Sequence, residues 1–200
     1  MSNETVGNDR MARVLERYII RRPFTTAAGL AADQKIDLDL PNEKSPFFIH
    51  IVEAIGTWAV ARKVSVLTGV PQGATRYAKA ASRQFELPFV EYRKRQGVYS
   101  PYYGLRGGLE ILHSDDKSVL VGIVEDVRST GLSMANVAKT INHRKTGLAI
   151  VDRGEDIQGV STIEQAKEYS DAHPTLPPPH ISLSFACESL FSYPLALKAA

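Results

Sequence analysis

The spacing of apolar residues divides the amino-terminal part of the chain into helical and extended segments. Apolar side chains recur at helical spacing over residues 8–23 and again, after a proline, over residues 48–59. Residues 24–40 show no helical period, and their alternating pattern predicts extended chain with a turn at Gly29. The pattern therefore predicts two amphipathic helices separated by extended chain.

The remainder of the chain alternates between apolar runs that predict strands and periodic segments that predict helices. The predicted strands are residues 64–69, 87–93, 108–113, 118–126, 148–152 and 181–185. The predicted helices are residues 73–85, 132–143 and 162–170, with a further short helix at the carboxyl terminus. Residues 94–106 combine Gly, Ser and Pro without a period, and they predict a long mobile loop.

Strands that alternate with helices imply right-handed crossovers, which give an α/β fold with a mainly parallel central sheet and helices on both faces. In such sheets ligands bind at the carboxyl ends of the strands. A chain of 200 residues fits one domain, and we expect its core to span about residues 46–155. The terminal segments, about residues 8–45 and 156–200, are expected to form a small cap.

Composition excludes several classes of protein. Lys and Arg number 24 against 22 Asp and Glu, so the net charge of +2 provides no general field for nucleic acid or an anionic membrane surface. Cys187 is the single cysteine, which excludes an internal disulfide. No apolar run approaches the ~18 to 20 residues of a membrane helix, and the first residues are polar. We expect a cytoplasmic protein with no nucleic-acid or membrane partner.

Candidate chemistry lies where a continuously apolar predicted strand ends. Glu125 and Asp126 follow that run and precede a turn of small polar residues. Adjacent carboxylates can accept hydrogen bonds from neighbouring sugar hydroxyls or approach a divalent cation. The amides of residues 128–131 and the hydroxyls of the turn can surround a phosphate, and Gly131 lets the backbone come close. The alternative is that the carboxylates cap the next helix and the turn is an ordinary one.

Residues 121–131 resemble the signature of the type I phosphoribosyltransferases, in which an apolar strand is followed by two acidic residues and a hydroxyl-bearing stretch ending in Thr-Gly. Over about residues 10–195, the chain is similar to the orotate phosphoribosyltransferases. The similar segments, which include a strand ending in Arg-Lys and an Asp-Arg pair, are residues 24–39, 68–73, 90–97, 151–154 and 184–191.

This resemblance implies transfer of a phosphoribosyl group from phosphoribosyl diphosphate to orotate, giving orotidine 5'-phosphate and diphosphate in pyrimidine nucleotide biosynthesis. The reaction passes through an oxocarbenium-like state, and its leaving group is highly charged. Mg²⁺ and cationic side chains would therefore supply most of the transition-state stabilisation. The resemblance also implies a homodimer.

The resemblance implies a role for each matching residue. Glu125 and Asp126 would hold the ribose hydroxyls and act in catalysis with Lys94, while Mg²⁺ would be carried by the diphosphate and approached by Asp126. The 5'-phosphate would be cradled by Val127, Arg128, Ser129, Thr130, Gly131, Leu132 and Ser133. The other substrate contacts would be Arg93 and Lys94 to the diphosphate, Gln72 and Gly73 through their amides, Arg153 to the orotate carboxylate, and Lys35 toward the base.

Several of these residues have plain alternatives. Residues 93–95 form a short basic run of the kind that is often solvated, and Arg153 beside Asp152 fits a surface ion pair. Lys35 fits an exposed side chain. We interpret the five histidines, which lack metal-ligand spacing, and Cys187 as structural or exposed.

The chain departs from the orotate enzymes at the mobile loop and at the base site. Gly97 and Tyr99 stand where those enzymes carry Lys and His, so a cation that stabilises the diphosphate is lost. Other departures are Ala27, Leu30, Gln34 and Lys35 at the base site and Gln72 in place of a common lysine. Three functions stay open: an orotate phosphoribosyltransferase, a phosphoribosyltransferase for another base, and a nucleotide-binding or regulatory protein without the reaction.

Overall fold

A computed structural model describes residues 13–26 and 28–192. The described strands are β1 (Ile19–Thr25), β2 (Ala31–Ile36), β3 (Val66–Gly69), β4 (Phe89–Arg95), β5 (Val98–Leu105), β6 (Leu120–Arg128), β7 (Arg144–Asp152) and β8 (Cys187–Ser192). The described helices are α1 (Pro46–Ala61), α2 (Gly73–Gln84), α3 (Gly108–Leu112), α4 (Leu132–Ala138) and α5 (Ile163–Ala172). A short 3₁₀ helix, Glu16–Tyr18, precedes β1.

The main sheet has six strands in the order β5-β4-β3-β6-β7-β8. Its neighbouring strands are parallel except for the antiparallel pair β4 and β5. One core cluster packs α1 and α2 against the sheet, and a second packs α4 against it. The predicted α/β fold with a mainly parallel sheet and helices on both faces is therefore confirmed. Among the described helices, none has the length and hydrophobicity needed to cross a membrane.

Most predicted elements of the core are confirmed. The strands predicted over residues 64–69, 87–93, 118–126 and 148–152 are β3, β4, β6 and β7, and the helices predicted over residues 48–59, 73–85 and 162–170 are α1, α2 and α5. The helix predicted over residues 132–143 ends early, at Ala138.

The prediction of an amino-terminal helix over residues 8–23 is wrong from Ile19 onward. Ile19 begins a strand that pairs antiparallel with β2, so pairing of its β-branched residues outweighs their helical spacing. The first part of the predicted helix lies outside the described residues. The extended chain predicted over residues 24–40 is confirmed as far as Ile36, with Gly29 in its turn at a φ of 81°. It is wrong for residues 38–40, which form a turn in which the Leu40 amide donates to the Asp37 carbonyl.

The predicted mobile loop over residues 94–106 is wrong, because it is the second half of a β-hairpin. Gln96 and Gly97 both have positive φ, 48° and 82°, which is the geometry that joins two strands tightly. The strand predicted over residues 108–113 is also wrong. It is the short helix α3, where a Cβ at Gly108 would overlap the backbone of Phe89.

The carboxyl-terminal prediction is wrong by a few residues. The last described strand is β8, which pairs with β7 from Gly147↔Cys187 onward, whereas residues 181–185 are not a strand. The terminal helix does not occupy residues 187–192, and residues 193–200 lie outside the described chain. β8 belongs to the segment that was assigned to the cap, yet it lies in the main sheet.

Strand β6 positions the candidate site. Successive residues of a strand point to opposite faces. Ile123 accordingly packs in the cluster with α4, and Val124 packs in the cluster with α1 and α2. Glu125 and Asp126 continue this alternation at the carboxyl end of the strand, so their side chains leave the sheet toward α4 and α2, respectively.

Candidate functional site

A cavity of about 250 Å³ opens at the carboxyl ends of β3, β6 and β7. The β1–β2 hairpin forms its other wall. The lining residues are Phe24, Thr26, Ala28, Lys35, Ile36, Val70, Pro71, Glu125, Asp126, Val127, Ser129, Thr130, Gly131, Leu132, Ser133 and Arg153. Most of the residues predicted to contact a sugar phosphate and a base thus meet in one place.

The two carboxylates of β6 are held in unfavourable surroundings for charge. Glu125 is 5% exposed, and its Oε2 has no hydrogen-bond partner among the described residues. Burial and the neighbouring Asp126 raise the pKa of Glu125 to about 8 against the opposing effect of Arg128. Burial also raises the pKa of Asp126. Both groups therefore gain from a ligand that supplies hydrogen-bond donors.

Asp126 lies at the beginning of α2. A Cβ added at Gly73 would overlap the Asp126 carboxylate, so only glycine leaves room for that side chain. Gly73 was predicted to serve through its amide. Its close approach to Asp126 was not predicted, because the contact joins two segments that are distant in sequence.

A turn after β6 faces the two carboxylates. Its residues 129–133 line the cavity, and Gly131 has a φ of 76°. Thr130 is buried, with its Oγ1 3.4 Å from the Leu132 amide. The helix that follows, α4, has only seven residues, so the groups that the turn could offer to an anion are its local amides and hydroxyls rather than a long helix dipole.

The side chain of Arg128 does not reach this cavity. It is 7% exposed and lies behind the turn, with Nη1 3.3 Å from Asp152 and Nη2 3.7 Å from Asp156. Of the predicted phosphate cradle, Arg128 is thus the residue that the structure turns away from the cavity. Its orientation depends on an ion pair across the β6–β7 ladder.

Two cationic side chains line the cavity, one after β7 and one on the hairpin. Arg153 follows β7 and is 3% exposed. Lys35, on β2, donates a 2.9 Å hydrogen bond to Asp37. Although burial opposes it, this hydrogen bond and one from the Asp39 amide lower the pKa of Asp37. Phe24 also borders the cavity; its place in the Phe-Thr stretch was the sequence signal for it, but no role was assigned.

The departures predicted for the base site have different positions. Lys35 lines the cavity, whereas Leu30 and Gln34 are absent from the lining, and Leu30 is buried, 5% exposed. Ala27 lies outside the described residues.

A second pocket adjoins the first through Pro71, which lines both. The peptide bond between Pro71 and Gln72 is cis. The pocket is lined by Asp39, Pro71, Gln72, Thr75, Arg76, Lys79, Glu91, Tyr92, Arg93, Lys94 and Arg95. Gln72, Arg93 and Lys94, which were predicted to contact a diphosphate, are therefore neighbours of one another.

Tyrosines of β5 pack on the cations of this second pocket. The Cζ atom of Arg93 lies 3.1 Å from the ring centroid of Tyr102, and the Nζ atom of Lys94 lies 5.3 Å from that of Tyr99. Lys79 has the same relation to Tyr103 at 5.4 Å. These contacts were missed, because they require the β4–β5 register that the mobile-loop prediction excluded.

Comparisons with known proteins bear on this arrangement. No protein-family model and no curated protein match the sequence. Similar solved structures are UMP synthase from Leishmania donovani, at a TM-score of 0.60 and 15% identity over 92% of this chain, and adenine phosphoribosyltransferase from Rhodothermus marinus, at 0.56 and 11% over 93% of this chain and 100% of that chain. A third is orotate phosphoribosyltransferase from Mycobacterium tuberculosis in complex with 5-phospho-α-D-ribosyl 1-diphosphate, at 0.53 and 16% over 92% of this chain and 95% of that chain.

The chain spans 36% of the length of the Leishmania UMP synthase. It covers nearly the whole of the two single phosphoribosyltransferases, one named for adenine and one for orotate. The TM-scores of 0.53 to 0.60 show a shared fold, whereas sequence identities of 11% to 16% leave the base open. Together with the parallel sheet and its two adjoining pockets, these matches show that the chain has the fold of the type I phosphoribosyltransferases.

Proposed function

We propose that this chain binds 5-phosphoribosyl 1-diphosphate across the two pockets and transfers its phosphoribosyl group to orotate. The observation that carries the proposal is the pair of carboxylates at the end of β6. Glu125 and Asp126 leave opposite faces of the sheet, have raised pKa values and face a turn of amides and hydroxyls. A ribose 5-phosphate matches this pattern, because it offers hydroxyl donors beside a phosphate.

In this proposal Glu125 and Asp126 accept hydrogen bonds from the ribose hydroxyls, and the turn over residues 127–133 surrounds the 5'-phosphate. Such a ligand would provide the missing partner of Glu125 Oε2. Arg128 would contribute through its backbone, while its side chain supports the turn from behind. Because these groups lie on core elements, they are positioned before the ligand arrives.

The diphosphate would occupy the second pocket, between the Gln72 and Gly73 amides and the cations of β4. Arg93 and Lys94 would stabilise the charge that develops as the bond from carbon 1 to diphosphate breaks, and Lys94 would be the catalytic cation. Tyr99 and Tyr102, where the orotate enzymes carry a basic loop, would orient those cations.

Mg²⁺ fits this site as a companion of the substrate. Within residues 13–26 and 28–192, no cluster of three or more His, Cys, Asp or Glu side chains is arranged to hold a metal by itself. The ion would take most of its ligands from diphosphate and ribose oxygens, with Asp126 approaching it. Bound there, it would neutralise the charge of the leaving group.

The base would lie between Phe24, Lys35 and Arg153. The first offers an aromatic face, and the two cations suit a base that bears a carboxylate. Orotate has that chemistry, whereas adenine has no anionic group. We further propose that one domain carries the whole site, because the β1–β2 hairpin and the main sheet share the cavity lining, and that the chain acts as a homodimer.

Turnover tests the proposal directly. With phosphoribosyl diphosphate, Mg²⁺ and orotate, we expect loss of orotate absorbance and release of one diphosphate for each orotate consumed. A panel of adenine, uracil and hypoxanthine should give little product. Turnover with another base and none with orotate would contradict the base assignment. Absence of ribose 5-phosphate binding in calorimetry would contradict the site itself.

The tyrosines on the diphosphate side favour a second candidate function. Arg93 and Lys94 are each partly occupied by an aromatic ring, and the loop cation of the orotate enzymes is replaced. A sugar-phosphate-binding or regulatory protein would retain the first pocket without the reaction. Tight binding of phosphoribosyl diphosphate with no diphosphate released at high protein concentration would support that function.

A further inference from the structure

A buried ionic cluster lies behind the phosphate-binding turn. Asp152, at the end of β7, has Oδ2 3.3 Å from Arg128 Nη1 and Oδ1 2.8 Å from His180 Nε2. The side chains of Arg128, Asp152 and His180 are 7%, 13% and 5% exposed. We call these three residues the Asp152 bridge.

The bridge joins the two halves of the cavity. Arg128 directly precedes the turn over residues 129–133, and Asp152 directly precedes Arg153, the cation proposed for the base. The Arg153 amide also donates a 2.9 Å hydrogen bond to the Arg128 carbonyl. The segments that would bind the 5'-phosphate and the base are thus connected by both backbone and side chains.

His180 closes the cluster from a third segment. Its neighbour Ile181 donates an amide hydrogen bond of 2.9 Å to the Thr130 carbonyl, inside the turn. A Cβ at Gly154 would overlap both the Ser129 carbonyl and the His180 ring, so the three segments are in close contact there. The segment of His180 and Ile181 therefore contacts the turn and the end of β7 at the same time.

The outer partner of the cluster contributes less. Asp156 Oδ1 lies 3.0 Å from His180 Nδ1, but the Asp156 side chain is 89% exposed. Solvent screens an exposed carboxylate, whereas removing one partner of a buried ion pair leaves an uncompensated charge. Asp152 is consequently the carboxylate on which the orientation of Arg128 depends.

We propose that Arg128, Asp152 and His180 are positioning residues that hold the phosphate turn in register with Arg153. None of the three side chains lines the first cavity, so each would act through the residues beside it. A misplacement of about 1 Å between two binding groups is enough to weaken a ligand that must contact both. The inference rests on the proposed function, because it assumes that the turn binds a phosphate.

Calorimetry with ribose 5-phosphate on the full chain tests the bridge. We expect His180→Leu and Asp152→Asn to weaken binding at least ~10-fold, the usual effect of losing a buried hydrogen bond to a charged group. His180→Gln retains a donor that can reach Asp152, so it should bind within ~3-fold of the original chain. A purely structural role would lower the melting temperature of His180→Leu without weakening ribose 5-phosphate binding by the folded protein.

His143→Leu is the matched control. His143 is also buried and has one hydrogen bond, 2.9 Å from Nε2 to the Leu112 carbonyl, away from the cavity. It should lower the melting temperature and leave ribose 5-phosphate binding unchanged. If His180→Leu fails to fold, the nearly isosteric Asp152→Asn decides the question.

The outcomes separate the bridge from the proposed function. Equal affinity in the original chain and in folded Asp152→Asn and His180→Leu would overturn the bridge alone. Equal losses in His180→Leu and His180→Gln would overturn it as well, since the donor would then be irrelevant. No binding by the original chain would overturn the proposed function and the bridge together.

Discussion

The two adjoining pockets differ in how their charged groups are held. On the sugar-phosphate side, Glu125 is 5% exposed at the end of a central strand, and Asp126 lies against the start of α2. On the diphosphate side, the Arg93 side chain is 41% exposed and belongs to an edge hairpin, where Tyr102 packs on it. The ionisable groups of the first pocket are fixed by the core, and those of the second by surface contacts.

This difference separates affinity from turnover. Groups held by the core would bind the proposed sugar phosphate at little ordering cost, since they are already in position. Cations on an exposed hairpin are screened by water and adjust with the hairpin, so leaving-group stabilisation depends on how β5 sits. Changes on the two sides should therefore have different signatures.

The largest effect should come from removing the buried acid on the sugar-phosphate side. The pKa of Glu125 is raised to about 8 in the folded chain, so between about pH 5 and 8 the folded state retains a proton that the unfolded state releases. Stability therefore falls as the pH rises through this window, by up to ~4 kcal/mol. Glu125→Gln should remove this fall and be more stable than the original chain at pH 8.5.

Thermal unfolding from pH 5 to 8.5 measures this effect. Glu53→Gln, an exposed change on α1, is the control and should keep the pH dependence. A Glu125→Gln variant with the same pH dependence of stability as the original chain would show that burial does not raise the pKa of the Glu125 carboxyl. The contrast between the two pockets would then lose its electrostatic basis.

The second largest effect concerns the contact between β6 and α2. Gly73→Ala forces the Asp126 carboxylate away from α2, and we expect ribose 5-phosphate binding to weaken ~100-fold, or about 3 kcal/mol. Without the clash, alanine would favour the helix over glycine. In an Asp126→Ala background, Gly73→Ala should therefore leave the melting temperature unchanged or raise it. If Gly73→Ala lowers the melting temperature as much in that background as in the original chain, the contact between Gly73 and Asp126 is contradicted.

A smaller loss is expected from Asp126→Asn. The amide keeps the shape but loses the charge that accepts from ribose hydroxyls, so ribose 5-phosphate affinity should fall ~10- to 30-fold. Because burial raises the pKa of Asp126, the variant should be at least as stable as the original chain at pH 8. Asp171→Asn on the exposed side of α5 should change neither property.

The smallest effect should come from the exposed side. Tyr102→Ala removes the ring that orients the Arg93 guanidinium. The loss of an exposed cation–π contact, about 0.5 to 1 kcal/mol, should weaken phosphoribosyl diphosphate binding ~2- to 5-fold. Ribose 5-phosphate binding should not change. Val98→Ala, exposed on the same strand, is the control. If Tyr102→Ala weakened the binding of phosphoribosyl diphosphate and of ribose 5-phosphate equally, the two pockets would not be independent.

The central part of the fold could be predicted from local patterns. β6 is a continuous apolar run with a polar turn after it, and α1 shows an apolar face at helical spacing. Both patterns agree with the structure, because they predict which residues are buried and do not depend on which element packs against them. The meeting of Glu125, Asp126 and the turn in one cavity followed from the rule that ligands bind at strand ends.

Where the sequence pattern fits both a helix and a strand, or neither, the neighbouring strand determines the secondary structure. Ile19 fits a helix by spacing and a strand by side chain, and β2 supplied the partner that made it a strand. Residues 98–105 show no hydrophobic period, and β4 gave them their register. Pairing energies of this kind come from contacts distant in sequence, so a local pattern cannot contain them.

The sequence alone determined the alternation of the parallel core and the acidic turn that ends its central strand, since apolar runs and turn residues act locally. Only the tertiary structure decided that Arg128 turns toward Asp152, that tyrosines cover Arg93 and Lys94, and that Gly73 makes room for Asp126. Each of these depends on which side chain lies opposite in space, and that is settled by packing and charge pairing when the elements assemble.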